Sequence, residues 1–144
     1  MKNRIVLLEK IQILIDLTQT YIGFVNSDIL SLIRTLTENS NLSDLSFLND
    51  CMSTVIETED FSCAWNKSVN DFRSSLTKED KDILISFGSQ LGKSDTQGQI
   101  SNCELHKQRI NSQIYKAEEI YKKHGNLYFN LCIISGILLD LVLL

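Results

Sequence analysis

Not one proline occurs in the 144 residues of this chain. Proline interrupts helices, and average usage would place roughly seven prolines in a chain of this length. Their absence, together with only six glycines, favours long helices that are joined by short polar turns. The sequence therefore predicts an all-α fold, and its length suits one compact domain with a real hydrophobic core.

Apolar residues recur at steps of three and four along six segments, which is the pattern of amphipathic helices. Three of these segments begin at residues whose side chains can cap a helix, namely the pair Ser27–Asp28, then Asp60 and Thr77. Thr77 opens a Thr-x-x-Asp sequence that resembles a capping box. The pattern predicts an antiparallel bundle of about six helices, whose core anchors in the fourth and fifth helices are Phe61, Trp65, Leu84 and Leu91.

The C-terminal part combines a long predicted helix with an apolar segment at residues 127–144. Eighteen helical residues reach about 27 Å, just short of a typical hydrocarbon core. We expect a helical bundle domain at residues 1–126 and a membrane anchor at residues 127–144, with a buried core helix as the alternative for the latter. Lys122 and Lys123 precede the apolar segment and favour a cytoplasmic location for the bundle.

Charge and cysteine content exclude several classes of function. The net charge is −4 without any long basic run, so we expect no nucleic-acid partner. The four cysteines show no paired spacing, and no signal peptide precedes them, which predicts reduced thiols in a cytosol. Cys103 and His106 lie three residues apart, but no C-x-x-C accompanies them, so we interpret them as a core cysteine beside a solvated histidine. We predict no metal, no cofactor and no catalytic residue.

The stretch GSQLGKS, at residues 88–94, comes within one residue of a phosphate-binding P-loop. A P-loop follows a buried strand, whereas the residues before this stretch have a helical pattern. A turn between two helices accounts for the same residues. Gly88 would lie on an apolar helix face, where the missing side chain lets another backbone approach closely, and Gly92 would take the left-handed position that ends a helix. Ser94 or Asp95 would then cap the next helix. In this interpretation the exposed polar candidates for contact with other proteins are Lys93, Asp95 and Gln99.

Two stretches carry a resemblance to a known family. LTKEDKDILISFGSQLGKSDTQGQ and the preceding FSCAWNKSV, followed by a long helix and an apolar end, resemble stage III sporulation protein AB of endospore-forming Firmicutes. The resemblance extends from about Gln19 to Leu144. Its most specific residues are Leu76, Thr77, Asp80, Leu84, Gly88, Leu91, Gly92, Asp95 and Gln99.

The resemblance implies a structural function. Such proteins look like the cytoplasmic helical domain of the inner-membrane platform proteins of type II secretion and type IV pilus machines. The family implies a non-enzymatic component of the channel complex in the mother-cell membrane around the forespore, with the other stage III proteins and a secretion-type ATPase as partners. Members usually begin with an apolar membrane helix, whereas this chain begins in the region that follows, so a trimmed start and a single C-terminal anchor are both open. A nucleotide-binding protein and a soluble helical adaptor are the alternative functions.

Overall fold

The computed structural model describes the backbone of residues 2–24 and 28–143, and the side chains of residues 3–22 and 28–123. The described chain is all-helical, without any strand, which confirms the predicted fold class. A single 3₁₀ turn, Ser40–Leu42, lies between the second and third helices. The six helices are α1 (Lys2–Phe24), α2 (Ile29–Glu38), α3 (Phe47–Thr58), α4 (Phe61–Asp71), α5 (Lys78–Ser89) and α6 (Thr96–Leu143).

The first and last helices pack against each other along most of α1. Gln12 Nε2 donates to Asn111 Oδ1 at 3.3 Å, and Gln19 Nε2 donates to Glu104 Oε1 at 2.8 Å. Partners later in α1 are therefore earlier in α6, so the two helices are antiparallel. The shorter helices follow in chain order, α2 on α3, α3 on α4, α4 on α5 and α5 on α6. The contact between the first helix and the last helix thus closes the bundle.

The predicted helix starts are confirmed. Of the predicted cap pair of α2, Asp28 Oδ1 accepts from Ser31 N at 2.9 Å, whereas Ser27 lies outside the described residues. Asp60 caps α4 in the same way. At the start of α5, Thr77 Oγ1 accepts from the amide of Asp80 and the Asp80 carboxylate accepts from the amide of Thr77, which completes the capping box. Short polar side chains therefore satisfy the amides that the first helical turn leaves free.

The core is formed by buried apolar residues from all six helices. Trp65 is fully buried and contacts the ring of Phe47 edge to face, with 5.3 Å between ring centroids. Leu84 is fully buried and Leu91 is 3% exposed. Phe61 is only partly buried, because it is the first residue of α4 and packs against Trp65 from the rim of the core.

Some large apolar residues of these helices are exposed to solvent. Ile56 in α3 is 64% exposed, and Tyr121 in α6 is 51% exposed. Helical periodicity shows which side of a helix a residue faces, but it does not show whether another helix covers that point.

The predicted anchor at residues 127–144 lies outside the residues whose side chains are described. Within the described part of the chain, no helix is both long enough and apolar enough to cross a bilayer. The division into a bundle at residues 1–126 and a membrane anchor stays a prediction.

Candidate interaction site at the α5–α6 turn

The stretch GSQLGKS forms the end of α5 and the turn that leads to α6. The turn is closed by its own backbone, since the Leu91 amide donates to the Gly88 carbonyl at 3.2 Å and the Lys93 amide donates to the Gln90 carbonyl at 3.3 Å. A phosphate cradle needs amides that converge on an anion. These two amides are used within the chain, and a helix rather than a strand leads into the turn, so the geometry is that of a helical hairpin.

Gly92 shapes this turn through its backbone conformation. Its φ is 80°, in the left-handed region that side chains other than glycine rarely adopt. A Cβ at this position would lie 2.5 Å from Ile29 Cδ1, so the space beside it is already occupied by α2. Both observations make the turn specific for glycine.

Gly92→Val is expected to lower the free energy of unfolding by about 2 kcal/mol, because it combines left-handed strain with the contact on Ile29. Thermal and urea unfolding followed by circular dichroism would measure the loss. Lys93→Ala is the matched control, since Lys93 is the exposed neighbour in the same turn and should unfold like the wild type. Equal melting temperatures for the wild type and Gly92→Val would remove the structural assignment of this glycine.

Gly88 lies inside α5, and the group that approaches it is the indole ring of Trp65. The sequence predicts close approach of another backbone at this position, and this is wrong, because a Cβ on Gly88 would overlap the Nε1, Cδ1 and Cε2 atoms of the Trp65 side chain. The indole Nε1 donates to the carbonyl of Leu84 at 2.8 Å, which holds the ring flat against this glycine. Gly88 therefore makes room for the largest side chain of the core, and it contributes to the turn only through its backbone carbonyl.

The predicted contact residues divide into two groups. Lys93 and Asp95 are exposed, and Asp95 Oδ1 accepts from the Gly98 amide at 2.8 Å, as a cap of α6 does. Gln99 was predicted to be exposed, and this is wrong, because it is only 5% exposed. Its Nε2 donates to the Gln90 carbonyl at 3.1 Å and to Ser94 Oγ at 3.0 Å, so it ties α6 to the turn from inside.

A groove opens beside the turn, between the end of α1, the start of α2 and the start of α6. We call it the turn groove, and its volume is about 580 Å³. Its apolar lining includes Ile29, Leu32 and Leu91, and its polar lining includes Asp28, Asp95 and Gln99. A volume of this size is typical of sites that bind small ligands or segments of a partner.

A second polar cluster surrounds Asp80, which is completely buried. Arg4 Nε of α1 donates to Asp80 Oδ2 at 2.7 Å, and Gln113 Nε2 of α6 donates to Asp80 Oδ1 at 2.7 Å. Burial alone would raise the pKa of Asp80, but hydrogen bonds from Arg4, Gln113 and the Thr77 amide outweigh it and lower the pKa below its usual range. One carboxylate thus joins three helices, and the sequence predicted only its capping hydrogen bond.

His106 was predicted to be solvated, and this is also wrong, because it is 1% exposed. Its Nδ1 lies 2.8 Å from the Asn102 carbonyl and its Nε2 lies 3.1 Å from Ser86 Oγ. Since a carbonyl only accepts, Nδ1 carries the hydrogen and Nε2 accepts from the serine hydroxyl. Burial lowers the pKa of His106 and favours this neutral form. The Ser86–His106 pair packs against the Phe87 ring, with 5.7 Å between the ring centroids of Phe87 and His106, and it does not line the turn groove.

These corrections have a common origin on α6. Its core-facing side carries a stripe of buried polar residues at helical spacing, namely Gln99, Asn102, His106 and Gln113. Their steps of three, four and seven residues place them on one side of a helix, so the spacing itself was the available signal. The stripe was not predicted because its residues are polar, and polar residues are mostly exposed in proteins.

The described cysteines Cys51, Cys63 and Cys103 are free thiols. Burial raises the pKa of Cys51 to about 12 and that of Cys103 to about 11, which keeps both protonated at neutral pH. Within the described ranges, no three side chains of the ligating types lie together as metal ligands would. Cys132 lies outside the described side chains.

Fold and turn together define a small helical-bundle domain whose most specific sequence stretch builds a helical hairpin. The profile of the stage III sporulation protein AB family (spore_III_AB) matches residues 1–144, the whole chain, and the chain belongs to this family. A comparison with curated proteins found no match, and neither did a comparison with solved structures. The resemblance predicted from the sequence is thus confirmed, and the chain is a protein of sporulation stage III.

Proposed function

We propose that the chain is a non-enzymatic docking component of the stage III sporulation complex. In this proposal, residues 127–144 hold the bundle at the mother-cell membrane around the forespore, with the bundle on the cytoplasmic side. There it binds other proteins of the complex, including the secretion-type ATPase, as a platform between the two cells. Family membership supports the assignment to sporulation, and the α5–α6 hairpin supports the docking role.

The observation that carries the docking role is how firmly the exposed turn is held. Gln99 anchors it from inside, Gly92 adopts the left-handed backbone conformation that it needs, and Asp95 caps the helix that leaves it. A surface turn held by buried contacts presents its exposed side chains in one arrangement, which lowers the entropy lost on binding. Lys93 is an exposed, positively charged residue of this turn.

Lys93→Glu is expected to leave stability unchanged and to reduce the recovery of partner proteins several-fold, because it reverses a charge on an exposed docking residue. The measurement is affinity capture of the tagged full-length chain from detergent-solubilised membranes of sporulating cells, with quantitative mass spectrometry. Lys67→Glu makes the same charge change on the exposed face of α4 and serves as the control. If the wild type recovers no other sporulation protein, the platform proposal fails. If Lys93→Glu recovers as much as the wild type, the turn is not the docking face.

A further inference from the structure

Gln99 leaves one strong acceptor unused. Both hydrogen bonds of its side chain come from Nε2, whereas its Oε1 is buried and has no hydrogen-bond partner among the described residues. Gln99 lines the turn groove. A buried amide oxygen without a donor costs free energy, so this position favours an incoming group that donates a hydrogen bond.

Two carboxylates stand in the same groove. Asp28 and Asp95 both line it and are both exposed, and none of the described residues that line it is basic. The hydrogen bond from the Ser31 amide lowers the pKa of Asp28, which keeps this carboxylate ionised. The turn groove therefore favours a donor that is also a cation.

The remaining lining is apolar. Ile29, Leu32 and Leu91 contribute to the walls, and Leu91 is almost fully buried. Arginine combines an aliphatic stem with a planar cation that carries five N–H donors, so one side chain can use both the apolar and the polar lining. The groove volume of about 580 Å³ also leaves room for the residues on either side of such an arginine.

We propose that the turn groove binds an arginine side chain of a partner protein, with its guanidinium at the carboxylates of Asp28 and Asp95, its stem along Ile29 and Leu91, and Gln99 Oε1 as an acceptor that rotation of the Gln99 side chain brings to the guanidinium. This inference rests on the proposed function, since the partner belongs to the proteins that the bundle docks. It assigns to the groove a ligand chemistry that differs from the anion expected of a P-loop.

The test uses the full 144-residue chain in detergent micelles and two peptides, acetyl-Leu-Arg-Leu-amide and acetyl-Leu-Glu-Leu-amide. Nuclear magnetic resonance would follow the backbone amide of Gly92, the side-chain amide of Gln99 and the methyl groups of Ile29. The arginine peptide is expected to shift these signals in a saturable way, and the glutamate peptide is not. Equal shifts with both peptides would mean that apolar side chains alone occupy the groove, and no shift with either would mean that the groove is closed to ligands. Each result would overturn the proposal.

Charge-neutral variants test the carboxylates without loss of the helix caps. Asparagine caps a helix about as well as aspartate, so Asp28→Asn and Asp95→Asn are expected to keep the fold. Each substitution should lower the affinity for the arginine peptide by about two- to fivefold, as the loss of one exposed ion pair does. Unchanged affinity in both variants would overturn the proposal. The same variants in the capture experiment distinguish the two proposals. If the wild type and the variants recover partner proteins equally, the docking function is retained and only the binding of arginine in the turn groove is overturned.

Discussion

Asp80→Ala is expected to lower the free energy of unfolding by about 3–5 kcal/mol, the usual cost of removing one partner from a buried ion pair. The substitution would leave the Arg4 guanidinium and the Gln113 amide without their acceptor in a buried site. It would also remove the carboxylate half of the capping box at Thr77. Urea unfolding at neutral pH, followed by circular dichroism, measures the loss.

The neighbouring acidic residue supplies the control. Glu79 pairs with Lys116 at 3.8 Å, and both side chains are more than half exposed. Glu79→Ala is therefore expected to cost less than about 1 kcal/mol, as exposed ion pairs do. A result in which the Asp80 and Glu79 variants lose similar amounts would show that Asp80 does not join the three helices.

The Asp80 site also predicts a pH dependence. Its folded-state pKa lies below the ordinary 3.8, so its contribution to stability is complete above pH 3.8 and is lost as the pH falls through the folded-state pKa. The difference in unfolding free energy between the wild type and Asp80→Ala should accordingly shrink in acid. A difference that stays constant down to the acid limit of folding would contradict the lowered pKa.

Gly88→Val is expected to cost about 3 kcal/mol or more, because the new side chain would overlap the indole ring of Trp65. The ring has little room to move, since it is fully buried and its Nε1 is bonded to the Leu84 carbonyl. Thermal unfolding would show the loss as a large fall in the melting temperature. Ser89→Ala, at the next position of α5, is the control and should change it little.

A double-mutant cycle would show whether Trp65 is the cause. Trp65→Leu removes the ring and destabilises the core by itself, but Gly88→Val should then cost far less than it does in the wild type. The coupling between the two sites is expected to reach about 1–3 kcal/mol. Additive losses would mean that the cost at Gly88 has another origin.

Interactions between residues that are close in the sequence determined the helices of this protein and where they begin. Helices begin after Asp28, Asp60 and Thr77 because each side chain caps the backbone amide three residues further on. Such contacts join residues that are close in the sequence, so they can be predicted from it. The absence of proline and the regular apolar spacing gave the six helices in the same way. The left-handed Gly92 also followed from its position after a helix.

Only the tertiary structure decided which polar residues are inside. Arg4 and Asp80 are 76 positions apart, and no local pattern pairs them, because they meet only when α1 and α5 both pack against α6. Gln99 and His106 have the residue types of a surface, but they face the core because α6 turns that side toward α1 and α5. Helix period and caps are set by neighbours along the chain, whereas burial, the Trp65–Gly88 contact and the turn groove are set by neighbours across it.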